Sequence, residues 1–153
     1  HGPRGGYEIN GIRERDSIRE EPLLTRNYGW PIVSNGINYN GTSFTNLTSM
    51  EGTESPLYFW TPSIAPSGMV MLTSDIYDEW KGNLFIGSLR FRYLERVELI
   101  GNYVYKREKL LDRVGRVREV VQGPDGYLYV GIENKGVFKI IPSKVYIEND
   151  ISE

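Results

Sequence analysis

Hydrophobic and polar positions alternate in short runs through the later two-thirds of the chain. The runs LYFW (57–60), MVMLT (69–73), NLFIG (83–87), RVELI (96–100) and YVYKREKLL (103–111) are rich in β-branched and aromatic residues and predict strands. Turn signals separate them: APSG before Met69, WKGN before Leu84, and Gly101-Asn102. The rhythm then restarts, with VREVVQ (117–122), the turn GPDG, YLYVGI (127–132), the turn NKG and VFKII (137–141). This is an internal repeat of antiparallel strands with a period of about 40 to 50 residues, the period of propeller blades.

At that period the 153 residues supply roughly three blades and some loop, whereas propellers close with about 4 to 8. The chain opens on HGPRGGYEIN without a Met, and its last unit has three clear strands, so the expectation is the C-terminal portion of a longer propeller. The predicted organisation is a loop-rich region at 1–55, one blade at 56–112, a last, incomplete blade at 113–145 and a polar tail at 146–153.

The first 55 residues show little alternation. NYGWP, SNGINYNGT and TNLTSMEGT are rich in Gly, Asn and Thr and read as binding loops on a rigid β scaffold. RERDSIREEPLLTR (13–26) reads either as a solvated insertion or as a short helix. Asn40-Gly41-Thr42 and Asn46-Leu47-Thr48 match the glycosylation sequon, a match too cheap to carry weight.

Composition narrows the chemistry. With 18 Lys and Arg against 20 Asp and Glu, the net charge is -2, so no basic field draws nucleic acid, and none is expected as a partner. There are no cysteines, which removes disulfides and thiolate chemistry. No run is long and apolar enough for a membrane span. Eleven Tyr and 17 Gly favour strands and tight turns, so the fold class is all-β.

Candidate chemistry concentrates in GRVREVVQGPDG (115–126). Arg116 and Arg118 are two apart at the start of a strand, so alternation puts both guanidiniums on one face, where each can form a planar pair with a carboxylate. The competing possibility is a pair of surface arginines balanced by Glu119 and Asp112. Arg90, after the strand NLFIG, either adds a third cation at the same rim or is an ordinary surface residue. In HGPRGGYEIN, the carbonyls around Gly2 and Pro3 and the carboxylate of Glu8 are hard oxygen donors of the kind that suits Ca²⁺, a weak signal without a DxDxDG loop. His1 is the only histidine, which leaves no triad to assemble.

Taken in order, HGPRGGYEIN, NYGWPIVSNGINYNGT, WTPSIAPSGM, WKGNLFIGSLR and GRVREVVQGPDGYLYV resemble the soluble, pyrroloquinoline quinone (PQQ)-dependent aldose sugar dehydrogenases of the glucose/sorbosone dehydrogenase family. The resemblance implies a six-bladed β-propeller of which this chain is roughly the last three blades. It implies two cofactors, PQQ and Ca²⁺, and oxidation of aldose sugars at the anomeric carbon to lactones, with an unknown electron acceptor. The family location is periplasmic or secreted. Residue by residue, the Gly2 and Pro3 carbonyls would hold a calcium that touches the quinone, and Glu8 and Tyr28 would serve a second, structural calcium. Tyr39 and Arg90 would contact the cofactor, and Arg116 and Arg118 would bind its carboxylates.

The family's general-base His and an Arg-Asn pair that orients the substrate are expected upstream of this chain, so no catalytic residue is assigned here and the isolated chain is expected to be inactive. Two positions depart from the pattern: Tyr7 stands where Asp is usual, and Asn40 where Asp is common. Both bear on calcium. They leave open a second function, a non-catalytic propeller that binds a glycan or a protein.

Overall fold

A computed structural model of the chain describes residues 5–12, 26–43 and 45–143. Gly2, Pro3, most of the 13–26 stretch and the polar tail therefore lie outside the described residues. The chain divides into two compact units, His1–Ile64 and Ala65–Glu153.

In the first unit, strand β1 (Tyr7–Ile9) pairs antiparallel with β2 (Tyr58–Trp60), matching Tyr7 to Trp60 and Ile9 to Tyr58. The LYFW run thus forms a strand whose partner is a three-residue segment too short to show alternation in the sequence. Ile9 and Trp60 are buried, and the Trp60 ring meets Tyr58 edge-on at 5.3 Å. Loops fill the rest of its described residues, closed by side-chain turns such as Asn40 Oδ1, which accepts from the Thr42 amide at 3.1 Å and its hydroxyl at 2.8 Å. Gly6 (φ +70) touches the backbone of Gly36 so closely that a Cβ would lie 2.4 Å from Gly36 N. Only glycine permits that crossing.

The second unit holds two antiparallel meanders. Strands β3 (Pro66–Met71), β4 (Leu84–Ser88), β5 (Leu94–Ile100) and β6 (Tyr103–Leu110) form a four-stranded sheet in sequence order. Strands β7 (Val117–Gln122), β8 (Leu128–Ile132) and β9 (Gly136–Lys139) form a three-stranded one. The all-β expectation holds, with a short 3₁₀ turn at Asp78–Trp80 between β3 and β4. One expected turn is overturned: Pro66-Ser67-Gly68 is strand, with the register shift between Pro66 and Met69 absorbing the proline.

Strand β4 is buried along its whole length, which explains its unbroken apolar run. Phe85 and Leu94 from the first sheet pack with Val117, Val120, Leu128 and Val130 of the second in one core cluster. Two glycines let the sheets approach. A Cβ on Gly68 would fall 2.7 Å from Val120 N, and one on Gly87 would fall 2.8 Å from Val117 Cγ1. Ser67 Oγ donates to Val117 O at 2.6 Å across the same contact. The end of β4 therefore lies against the beginning of β7.

Candidate anion and oxygen-donor sites

Strand β7 begins irregularly, and the irregularity sets the second unit's site. Val117 pairs with Ile132 and Glu119 with Gly131, so Arg118 is the extra residue of a bulge. Strict alternation would have put Val117, Glu119 and Val121 on one face. Instead Val117 and Val120 enter the core, and Arg116 and Arg118 flank Val117 on the exposed side.

Both guanidiniums converge on one carboxylate. Arg116 Nε lies 2.8 Å from Glu133 Oε2 as an ion pair, and Arg118 Nη2 donates a hydrogen bond to Glu133 Oε1. The arginine side chains remain 45% and 50% exposed, so this is a solvent-facing fork. Arg118 first, then Arg116, holds the Glu133 carboxyl below the usual range. The shared face of the pair follows from alternation, with Val117 buried between two exposed arginines, and the bulge acts beyond it, sending Val120 instead of Glu119 into the core. The acids expected to balance the pair are elsewhere: Glu119 Oε1 accepts from the Val120 amide at 3.0 Å, and Asp112 lies 3.7 Å from Arg113.

The sequence reading missed Glu133. Continuing the register of Val120 with Val130 would set Arg116 opposite Asn134; the bulge moves it opposite Glu133, whose amide donates to Arg116 O at 2.9 Å. Nothing short of placing the bulge reveals the partner.

Arg90 sits in the turn after β4, exposed, with its guanidinium 5.0 Å from the centre of the Phe91 ring. Phe91 in turn stacks on Tyr93 at 6.3 Å and 6°. Because Gly87 abuts Val117, this turn and the arginine pair lie at the same end of the two sheets.

In the first unit, Glu8 faces a pocket of about 340 Å³ lined by Gly5, Gly6, Tyr7, Asn10, Trp30 and Ser34. Burial pushes the Glu8 carboxyl up, against the opposing effect of Asn10, whose Nδ2 donates to it at 3.4 Å. Tyr28, expected with Glu8 at a structural calcium, donates its hydroxyl to Gly11 O at 3.1 Å. Tyr39 is 74% exposed in the turn that ends at Asn40. Among the described residues no three His, Cys, Asp or Glu side chains group together as metal ligands. Also among them, no helix is long and apolar enough to cross a membrane.

The residues suit the expected groups in kind. A half-buried carboxylate with the Asn10 side-chain amide beside it offers hard oxygen donors of the kind calcium takes. The arginine fork already demonstrates carboxylate recognition, with Glu133 as the carboxylate.

The chain is 41% identical over 133 residues to aldose sugar dehydrogenase YliI of Escherichia coli strain K12, an alignment covering 85% of this chain and 33% of that protein. It therefore spans about a third of that relative's length. A crystal structure of a glucose dehydrogenase superposes with a TM-score of 0.78 at 39% identity, covering 93% of this chain and 40% of the other. The apo-form of the soluble aldose sugar dehydrogenase from Escherichia coli gives a TM-score of 0.75 at 37% identity, covering 91% and 38%. With the Glucose / Sorbosone dehydrogenase family model matching residues 1–140, the chain belongs to the glucose/sorbosone dehydrogenase family.

Proposed function

We propose that this chain is the cofactor-holding part of a six-bladed propeller that oxidises aldose sugars at the anomeric carbon to lactones, using PQQ and calcium, outside the cytoplasm. The observation that carries the reading is the convergence of Arg116 and Arg118 on a single carboxylate. A tricarboxylate such as PQQ needs cations displayed in this way, and each planar guanidinium keeps N–H groups that its contact with Glu133 does not use.

The chemistry supplied by the bound group is hydride acceptance at a quinone carbonyl carbon polarised by calcium. The chain's own residues bind and orient. Arg116 and Arg118 fix the carboxylate end, and Arg90 contributes charge from the β4 turn. The Gly2 and Pro3 carbonyls and Tyr39 are assigned to the first calcium and the cofactor face, and Glu8 with Tyr28 to the structural calcium. Glu8 is raised and under-compensated without metal, which is the electrostatic state a cation would relieve. The proton from the sugar hydroxyl goes to a base outside this chain.

The test is reconstitution. The intact protein, given PQQ and Ca²⁺, is expected to reduce an artificial dye with an aldose as the reductant, and the isolated 153-residue chain is expected not to. Aldose-independent dye reduction, or none at all by the intact protein, would favour a binding role for the propeller instead.

A further inference from the structure

Glu133 divides its carboxylate between the two arginines, Oε2 to Arg116 Nε at 2.8 Å and Oε1 to Arg118 Nη2. It is itself held firmly. Its amide donates to Arg116 O at 2.9 Å, and two residues later Lys135 Nζ donates to Val114 O at 2.6 Å. Gly115 (φ +133) lies under the same turn, where a Cβ would come 2.6 Å from Ile132 Cγ2. One hairpin turn thus grips the segment 114–118 through backbone, side chain and close packing.

Consider the fork without that carboxylate. Two like charges on long, half-exposed stems repel and sample many rotamers, and ordering them is charged against any ligand that needs both. A fixed carboxylate between them removes the repulsion in advance. Since it takes one N–H from Arg118 and pairs with Arg116 by charge, an incoming carboxylate can use the remaining N–H groups without displacing it.

We infer that Glu133 is a positioning residue, holding Arg116 and Arg118 side by side so that they receive a ligand carboxylate as one pre-organised fork. This rests on the proposed role of that pair in cofactor binding. The opposite role, a stand-in anion that the ligand must expel, predicts the opposite sign on removal.

The experiment titrates PQQ, with Ca²⁺ present, into the intact protein and its Glu133→Asp, Glu133→Gln and Glu133→Ala variants, with Arg116→Ala and Arg118→Ala alongside. Affinity is expected to fall in the order wild type, Asp, then Gln and Ala, with Ala weaker by about tenfold, the scale of ordering two side chains. At saturating PQQ the turnover of sugar is expected to match wild type, because Glu133 acts through the arginines and touches no reacting atom. Unchanged or tighter binding by Glu133→Ala, while the arginine variants lose affinity, overturns the inference alone. Unchanged binding by the arginine variants overturns the cofactor reading beneath it. Where Glu133→Ala fails to fold, by circular dichroism, the isosteric Glu133→Gln decides: weaker binding supports the positioning role, and equal or tighter binding refutes it.

Discussion

The hydroxyl of Tyr77 does the work of a missing backbone bond, and removing it is a clean perturbation. Ile140 N donates directly to Leu128 O at 2.8 Å, but the reciprocal bond of that pair is interrupted. Leu128 N donates instead to Tyr77 Oη at 2.7 Å, and Tyr77 Oη donates to Ile140 O at 2.7 Å. The phenol comes from the 74–80 loop of the four-stranded sheet, so a single oxygen ties that sheet to the end of β8. Leu128 is fully buried, Tyr77 is 6% exposed and Ile140 is half-buried. Tyr77→Phe keeps the ring and its stack on Trp80 at 5.4 Å and 7°. It leaves one buried donor and one acceptor without partners. At about 1–3 kcal/mol for the unsatisfied buried amide, with the half-buried Ile140 carbonyl adding less, the expected loss is about 1–3 kcal/mol. Urea unfolding of the wild type and the variant measures it, with an unchanged m value showing that both unfold from the same compact state. Hydrogen exchange at the Leu128 amide is expected to accelerate in parallel. A loss under about 0.5 kcal/mol, the scale of an inconsequential surface change, would refute the bridging role.

Gly87→Ala is expected to cost about 1–3 kcal/mol by overpacking, since its Cβ would press Val117 and Ser67. Wild-type stability in urea would contradict the close approach of β4 to β7. For Glu8 the folded pKa lies above the unfolded one, so the native state holds the extra proton and metal-free stability falls as pH rises above the ordinary glutamate range. Glu8→Gln is therefore expected to raise the melting temperature at pH 7 without calcium and to abolish any rise on adding calcium. A calcium-induced rise that survives the substitution would remove Glu8 from the metal site.

The strands were legible because their apolar positions alternate or run together, as LFIGS and LYVGI do. Tyr7–Ile9 was not, since three residues carry no period. Pro66 misled in the other direction: the APSG stretch has turn composition, yet a bulge accommodates it within β3. At the arginine pair the sequence showed the cations but not their partner. Glu133 is 15 residues from Arg118, and it comes opposite Arg116 only through a one-residue shift that leaves no compositional mark. Local pattern therefore identified the residue types, and long-range register decided which of them meet.

The most direct measurement is the dissociation constant of PQQ for the intact protein carrying both Arg116→Ala and Arg118→Ala, with Ca²⁺ present and the fold checked by circular dichroism. Hydrogen bonds between charged groups contribute about 1.5–3 kcal/mol each, so binding is expected to weaken by roughly a hundredfold or more. Wild-type affinity in the double variant would contradict the assignment of this fork to the cofactor.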